Sequence, residues 1–295
     1  MILIAHSVFL RRDPKQLERG KPYPPLTTLI AAAVLRDLGH PVVLFDATFE
    51  TSSLAFDDLL DRMQPSIVLL VEDNFNFLTK MCTENRRSDA LDMVRSAARR
   101  GCRVPVTGPD APDHADLYLR AGAHAVLAGE GEFGVAELVE AFGRGDPLEA
   151  TSGLILRRDD GRLRHTKPRA PRHDVDSLPL PAWDLLDIDA YRRSWTEAHG
   201  YFSWNMAASR GCPYKCNWCA KPTFGRRYTQ RSPASVAEEM QRLKEEVAPQ
   251  HIWFADDIFG LTEHWIIEFA QEVEARGART RFMMQSRSNL ISDRV

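Results

Sequence analysis

The sequence predicts an α/β protein made of a flavodoxin-like doubly wound parallel sheet followed by a partial (β/α) barrel. Two observations predict this fold class. Short apolar runs alternate with amphipathic stretches along the 295 residues, as in parallel sheets joined by crossover helices. The alternation pauses over residues 151–194, so we expect one domain over residues 1–150, a connecting segment, and a second domain over residues 195–295.

Five apolar runs in the first domain predict strands, because each is too short for a helix. They are Ile2–Ala5, Val42–Phe45, Ile67–Val71, Val104–Thr107 and Ala125–Ala128. Apolar residues recur at helical spacing after residues 26, 91 and 135, and we expect Gly39, Gly101 and Gly143 to end those helices. Five parallel strands fit the flavodoxin-like order, in which ligands bind at the carboxyl ends of the strands.

Residues 151–194 predict a small hairpin and an extended linker. The runs 154–156 and 163–165 flank Asp160-Gly161, a pair that favours a two-residue turn. The prolines between Pro168 and Pro181 indicate an extended connection.

The second domain repeats the strand–helix alternation for only about two and a half units, whereas a closed barrel needs more. We expect its first helix to begin at Ser232-Pro233, because serine is a favoured cap and proline a favoured first residue. The strand candidates are Asn205–Ser209, His251–Ala255 and Arg281–Gln285. The barrel is therefore predicted to be incomplete at the C-terminus, or the chain to be a fragment.

Composition argues against several classes of function. The 38 Lys and Arg against 41 Asp and Glu give a net charge of −3, which disfavours a nucleic-acid partner. No apolar run approaches the roughly 20 residues of a membrane helix, and the N-terminus lacks a signal-peptide pattern. We therefore expect a cytoplasmic protein without a membrane partner. An odd count of five cysteines indicates metal ligands or thiols and not a disulfide framework.

Three of the five cysteines lie within eight residues, at Cys212, Cys216 and Cys219. Thiolates are the usual ligands of iron–sulfur clusters, and a cubane cluster needs four ligands to be fully tied down. Three cysteines would leave one iron open, and an open metal position is where chemistry occurs. A zinc knuckle with His199 or His251 as the fourth ligand is the alternative.

The spacing C-x-x-x-C-x-x-C, with an aromatic residue before the last cysteine, resembles the cluster loop of the radical S-adenosylmethionine (SAM) superfamily. Three flanking tripeptides strengthen the resemblance: Ser209-Arg210-Gly211, Ala220-Lys221-Pro222 and Arg231-Ser232-Pro233. The resemblance implies that Cys212, Cys216 and Cys219 hold a [4Fe-4S] cluster and that SAM chelates the fourth iron. Reductive cleavage of SAM would yield a 5′-deoxyadenosyl radical, with electrons from an external donor such as a flavodoxin or ferredoxin.

The same resemblance implies contacts to SAM. Trp218 takes the position of an aromatic residue that packs near the adenine. Asp256 or Asp257, after a strand candidate, would meet the amino group, since a cation suits a carboxylate. Arg287 resembles an arginine that is common in relatives. The alternatives are two solvated acids in a loop and a surface arginine.

Two motifs in the first domain resemble the cobalamin-binding domain that is fused to many radical SAM enzymes. They are Tyr23-Pro24-Pro25-Leu26 before the first helix and Gly129-Glu130-Gly131-Glu132 after the fifth strand, and the linker stretch 178–183 also matches. The resemblance implies cobalamin contacts at Pro24, Leu26, Gly108 and the four residues 129–132.

The cobalt-ligating motif D-x-H-x-x-G of other cobalamin proteins is missing after the first strand. His6 is a candidate ligand, but a lone histidine at a strand end is more often polar surface. Asp110 stands near the place where relatives often have two glycines and a histidine, which could change the pocket.

The resemblance implies a cobalamin-dependent radical SAM enzyme that methylates an unactivated carbon of a small molecule. The alternatives are an oxidative cyclase or rearrangement enzyme of the magnesium-protoporphyrin ester cyclase type, and a non-catalytic cobalamin or iron–sulfur scaffold.

Overall fold

A computed structural model describes residues 1–75, 83–170, 174–219, 224 and 227–293. The chain divides into two compact units. Unit 1 comprises Met1–Arg19, Pro25–Pro171 and Pro181–Leu186. Unit 2 comprises Gly20–Pro24, Arg172–Leu180 and Asp187–Val295. The predicted hairpin therefore belongs to unit 1, and a short segment of the N-terminal region belongs to unit 2.

Unit 1 contains a sheet in the order β2-β1-β3-β4-β5-β6-β7. Its strands are β1 (Ile2–Ala5), β2 (Val42–Phe45), β3 (Ile67–Val71), β4 (Pro105–Thr107), β5 (Ala125–Leu127), β6 (Leu154–Arg157) and β7 (Leu163–His165). The first five pair in parallel, and β6 and β7 extend the sheet in antiparallel fashion. The predicted flavodoxin-like order is confirmed.

Helices cover both faces of this sheet. They are α1 (Pro14–Arg19), α2 (Leu26–Asp37), α3 (Leu54–Met63), α4 (Thr83–Arg99), α5 (Ala115–Ala121) and α6 (Gly131–Arg144). Because successive strand residues point to opposite faces, Leu3 packs in the core cluster with α3, α4 and α5. Ile2 and Ile4 pack in the cluster with α2 and α6. The strands are apolar on both sides for this reason.

Two local predictions in unit 1 are wrong. Gly143 lies inside α6, and the left-handed residue that ends the helix is Gly145, with φ of +72°. The hairpin turn has three residues instead of two, because Arg158 N–H donates to the Arg162 carbonyl and Gly161, at φ +82°, closes the turn. A three-residue loop with glycine in the left-handed conformation is the next most common hairpin connection.

Unit 2 contains a parallel sheet in the order β12-β11-β8, together with a short antiparallel ribbon of β9 and β10. The strands are β8 (Ser203–Met206), β9 (Ser209–Arg210), β10 (Thr229–Gln230), β11 (His251–Phe254) and β12 (Arg281–Met283). The helices are α7 (Ile188–His199), α8 (Pro233–Glu246) and α9 (Glu263–Ala275). Ser232 Oγ accepts the Ser235 N–H at 3.2 Å, which confirms the predicted start of α8.

Helix α7 was not predicted. It begins after Asp187, whose side chain accepts the Ala190 N–H, and it ends at Gly200 in the left-handed conformation. Its buried face consists of Tyr191 and Trp195. None of the described helices combines the length and the apolar composition that crossing a lipid bilayer requires.

Helix α2 is capped by a residue from the end of β3. Its own cap position is Pro25, which makes no side-chain cap hydrogen bond. Asp73 Oδ1 instead accepts the Thr27 N–H at 3.1 Å, the Thr27 hydroxyl at 3.0 Å and the Phe75 N–H at 3.1 Å. A carboxylate at a helix N-terminus satisfies orphan N–H groups and favours the helix dipole.

We predict that Asp73→Ala lowers the free energy of unfolding of unit 1 by about 2–3 kcal/mol, because it leaves buried N–H groups without their acceptor. Urea unfolding followed by far-UV circular dichroism measures the change. Asp58→Ala is the matched control, since Asp58 is exposed on α3 and its loss should cost no more than about 0.5 kcal/mol. Equal effects of the two substitutions would contradict the capping role.

Candidate functional site

The three clustered cysteines lie on the loop that leaves β9 and returns through β10. Cys212 is half-buried, and Cys216 and Cys219 are exposed. The Cys219 N–H donates to the Cys216 carbonyl at 3.3 Å, so a turn joins these two residues. Three accessible thiols within eight residues have the donor chemistry of an iron–sulfur ligand set.

The described part of the chain contains no group of three His, Cys, Asp or Glu side chains gathered closely enough to hold a metal ion.

The root of the cysteine loop is fixed by backbone geometry. Gly211 has φ of +73°, and a Cβ at this position would overlap the backbone carbonyl of Arg227. On the neighbouring strand pair, Arg210 lies opposite Thr229 and Ser209 opposite Gln230. Glycine is thus required where the chain turns from β9 into the cysteines.

The two acids after β11 have different environments. Asp256 is 3% exposed; its Oδ2 accepts the Ala208 N–H at 3.0 Å and its Oδ1 is hydrogen-bonded to the Ser209 hydroxyl. Burial raises the pKa of Asp256 to about 7, although these hydrogen bonds and Arg231 act to lower it. Asp257 is exposed. The structure therefore leaves Asp257 as the accessible carboxylate of the pair.

Arg287, which follows β12, lies over the cysteine loop. Its guanidinium carbon is 4.1 Å from the centroid of the Tyr214 ring, in cation–π geometry, and its Nε donates to Asn289 Oδ1 at 3.0 Å. Trp218 is 87% exposed. An exposed indole beside the cysteines offers a surface that an adenine could cover.

The histidines of the alternative zinc site lie away from the cysteines along the fold. His251 is the first residue of β11, and its Nδ1 is 2.9 Å from Ser203 Oγ at the start of β8. The cysteine loop follows the opposite, carboxyl end of β8. His199 Nε2 is 3.1 Å from the Gly20 carbonyl. This arrangement favours the iron–sulfur interpretation of the cysteines over the zinc knuckle.

At the carboxyl edge of the unit 1 sheet, Gly108 packs against Glu72. Gly108 has φ of +146°, and an added Cβ would lie 2.5 Å from the Glu72 Cβ. Glu72 Oε1 accepts the Ser7 N–H at 2.8 Å, whereas its buried Oε2 has no hydrogen-bond partner among the described residues. Burial raises the pKa of Glu72, although His6, Ser7 and Arg86 act to lower it. A buried polar atom of this kind marks a place where a ligand or water can bind.

Glu72 follows β3 and Ser7 follows β1, the two strands between which the strand order reverses. This switch point is where open α/β sheets bind ligands. The orphaned oxygen of Glu72 therefore fits a cofactor site at this edge.

The residues 129–132 connect β5 to α6 as predicted. Gly129 has φ of +90°, and a Cβ on Gly131 would lie 2.7 Å from Thr107 Oγ1. Glu132 is fully buried and Glu130 stands at the cap position of α6. The start of α6 therefore lies directly against the end of β4.

His6 is not the polar surface residue that the sequence favoured. It is 1% exposed, its Nε2 lies 2.9 Å from Asp46 Oδ1, and its Nδ1 accepts the Val8 N–H at 3.2 Å. Burial opposes ionisation of Asp46, but hydrogen bonds from His6 and Thr48 outweigh it and lower the pKa of Asp46. Both ring nitrogens are engaged, so cobalt ligation would require these contacts to break.

Pro24 and Leu26 fall into different units. Pro24 belongs to unit 2, where its carbonyl accepts Asn205 Nδ2–H at 3.0 Å. Leu26 is the buried first residue of α2 in unit 1. The motif therefore spans a boundary between units and is not a single contact surface within one of them.

No family model matches the chain. The chain is 29% identical over 284 residues to an uncharacterized methyltransferase of Pyrococcus horikoshii, with 94% of this chain and 58% of the relative covered. It is 27% identical over 301 residues to the hopanoid C-3 methylase of Methylococcus capsulatus, covering 98% and 51%. An anaerobic magnesium-protoporphyrin IX monomethyl ester cyclase of Synechocystis is 27% identical over 270 residues, covering 85% and 48%. The chain spans about half the length of these curated relatives.

Solved structures share the fold. OxsB, a cobalamin-dependent SAM radical enzyme with aqua-cobalamin and SAM bound, matches 95% of this chain and 38% of its own at 19% identity, with a TM-score of 0.73. TsrM, a radical SAM methyltransferase from Kitasatospora setae, matches 94% and 52% at 21% identity, with a TM-score of 0.71. The chain has the fold of the cobalamin-dependent radical SAM enzymes. The resemblance predicted from the sequence is confirmed.

Sequence reasoning missed two features that shape the carboxyl edge of the unit 1 sheet. A Cβ on Gly134 would meet the Leu127 side chain, so the motif that begins at Gly129 continues to a third glycine. Arg87 pairs with both oxygens of Asp110, at 2.8 and 2.6 Å, and holds the loop after β4. The glycine spacing was visible in the sequence, whereas nothing in it pairs Arg87 with a residue 23 positions away.

We predict that Gly211→Ala destabilises unit 2 by at least about 2 kcal/mol more than Gly200→Ala. Both glycines have nearly equal φ, +73° and +75°, but a Cβ on Gly200 meets nothing within 4 Å. Gly200→Ala should therefore cost only the left-handed penalty of about 1–2 kcal/mol. Tryptophan fluorescence in urea measures the change, since five of the six tryptophans lie in unit 2. Equal losses would show that Gly211 is not sterically required.

Proposed function

We propose that this chain binds a [4Fe-4S] cluster, SAM and cobalamin and supports cobalamin-dependent radical methylation of an unactivated carbon in a small molecule. The observation that carries the proposal is the cysteine triplet on a loop after the carboxyl end of β8, in a chain whose curated relatives are named methyltransferase and methylase. An external flavodoxin- or ferredoxin-like electron donor and a cytoplasmic location belong to the same proposal.

Cys212, Cys216 and Cys219 would hold the cluster through their thiolates. When bound, the cluster and SAM together supply a 5′-deoxyadenosyl radical, and methylcobalamin supplies the methyl group. The protein's part is to bind, orient and shield these groups. Gly211 contributes by fixing where the loop leaves β9.

SAM would be held beside the cysteines by three side chains. Asp257, the accessible acid after β11, is proposed to meet its amino group as a charge-assisted hydrogen bond, in preference to the buried Asp256. Trp218 would cover the adenine with its exposed ring. Arg287 would keep Tyr214 and the cysteine loop in place and offer a cation to the carboxylate of SAM.

Cobalamin would lie at the carboxyl edge of the unit 1 sheet. Gly108, Gly129 and Gly131 carry no side chain at this edge, and the orphaned Glu72 Oε2 offers a polar contact. Leu26 is the first residue of the helix that begins at the same edge. The proposed cobalamin contact of Pro24 rests on the sequence motif alone. Because His6 is engaged with Asp46, we propose that His6 does not ligate cobalt.

We predict that Cys212→Ser, Cys216→Ser or Cys219→Ser each abolishes the cluster, because losing one of three thiolates removes a ligand that serine replaces poorly. Iron and sulfide analysis after anaerobic reconstitution, with the visible absorption spectrum, measures the loss. Cys102→Ser is the control: Cys102 is buried in unit 1, where burial raises the pKa of its thiol, so iron content should stay at the unsubstituted level. Unchanged iron in all three loop variants would overturn the cluster assignment.

The cyclase is the second candidate, because the Synechocystis cyclase matches 85% of this chain. We predict that the protein, expressed in the longest form its gene encodes, transfers the methyl group of SAM to its product. SAM made from methyl-labelled methionine would therefore label the product. Mass spectrometry of the product and of 5′-deoxyadenosine separates the cases. Deoxyadenosine together with an unlabelled product would favour cyclisation. The absence of both deoxyadenosine and a modified product would favour a binding scaffold.

A further inference from the structure

Asp256 lies against the junction between β8 and β9, the two strands that precede the cysteine loop. It follows β11, and its carboxyl group contacts residues 208 and 209, where the chain passes from β8 into β9. The next cysteine is Cys212, three residues beyond Ser209. The Asp256 side chain therefore ties the end of one strand to the start of the loop.

The single hydroxyl proton of Ser209 bears on the protonation state of Asp256. Ser209 Oγ is hydrogen-bonded to Asp256 Oδ1, and it also lies 3.0 Å from the Ile258 carbonyl oxygen. A serine hydroxyl has one proton, and a carbonyl oxygen can only accept. If the hydroxyl donates to Ile258, the contact with Asp256 requires a proton on the carboxyl group. A proton on Asp256 therefore lets each contact be a full hydrogen bond, whereas an ionised Asp256 would have to share the single hydroxyl proton with the Ile258 carbonyl.

The charged groups around Asp256 are compatible with a neutral acid. Arg231 is the cation that faces it, but the Arg231 guanidinium is committed to the Glu239 carboxylate and to the Ala207 and Ser235 carbonyls. Tyr228 also faces Asp256, and burial raises the pKa of Tyr228 to about 12, so this phenol stays protonated near neutrality. Burial of Asp256 itself raises its pKa to about 7.

We propose that Asp256 is a positioning residue: as a neutral acid it joins β11 to Ala208 and Ser209 and thereby fixes the root of the cysteine loop. Contact with SAM is left to Asp257. The proposal deepens the proposed function, on which it rests only in treating this loop as the cluster loop. The folded pKa is raised above the ordinary value near 4, so the stabilisation is complete below pH 4 and is lost as the pH rises through about 7.

Asp256→Asn is the decisive variant. Its amide oxygen can accept the Ala208 N–H and its NH₂ can donate to Ser209 Oγ, so it reproduces the neutral acid at every pH. Asp256→Ala removes both contacts. If Asp256 instead bound the SAM amino group as a carboxylate, the asparagine would weaken SAM binding.

The first measurement is alkylation of Cys212 by iodoacetamide in the cluster-free protein, followed by peptide mass spectrometry from pH 6 to 8. Rates are normalised to those of Cys216 in the same molecule. At pH 6 the normalised Cys212 rate of the unsubstituted protein should equal that of Asp256→Asn. By pH 8 the rate in the unsubstituted protein should be several-fold higher. Asp256→Ala should raise the Cys212 rate at least about tenfold at both pH values, because losing its two buried hydrogen bonds costs about 1.4 kcal/mol or more. Asp257→Asn should keep the profile of the unsubstituted protein.

The second measurement is equilibrium binding of SAM to the reconstituted protein. Asp256→Asn should retain the unsubstituted affinity and Asp257→Asn should lose at least tenfold. A flat Cys212 profile in the unsubstituted protein, or a loss of SAM affinity in Asp256→Asn as large as in Asp257→Asn, overturns the proposal. If Asp256→Ala does not fold, Ser209→Ala replaces it, with the same expected exposure of Cys212. A protein that takes up no iron refutes the proposed function, while the alkylation profile still decides the role of Asp256.

Discussion

Parallel strand pairing is the constraint on which the candidate sites depend. In each unit the crossover helices return the chain to the same edge of the sheet, so the residues that follow successive strands gather at their carboxyl ends. In unit 1 this brings Ser7, Glu72 and Gly108 to one edge. In unit 2 it brings the entry to the cysteine loop beside Asp256. Neighbours at the site are thus distant in sequence because the strands are parallel.

Buried acidic side chains join these edges to the rest of the fold. Asp73 caps a helix that cannot cap itself, and Asp256 fastens the entry to a loop that has little secondary structure of its own. Each acid exchanges hydration for hydrogen bonds with backbone N–H groups and hydroxyls. Both buried acids are therefore hydrogen-bonded, and they fix the geometry of the backbone around them.

Much of the fold could be predicted from the sequence because central strands such as β1 and β3 are buried on both faces and form continuous apolar runs. The missed features depend on contacts that no local pattern carries. Asp256 and Asp257 are adjacent and chemically alike, and only Ala208 and Ser209, almost fifty residues earlier, make one of them buried. His6 follows β1 in the pattern of a surface residue, but Asp46 covers it. Helix α7 was missed because the prolines before it suggested a longer linker.

The segment Gly20–Pro24 determines which residues must be kept together when unit 2 is studied on its own. Tyr23 packs 5.1 Å from Trp195 and 4.7 Å from Trp253, and the Trp195 indole N–H donates to the Pro22 carbonyl at 2.7 Å. These contacts belong to unit 2, although the chain on either side of the segment belongs to unit 1. Unit 2 expressed from Asp187 onward would lack Tyr23 and Pro22, so Trp195 and Trp253 would lose these contacts and residues 20–24 must be supplied with it.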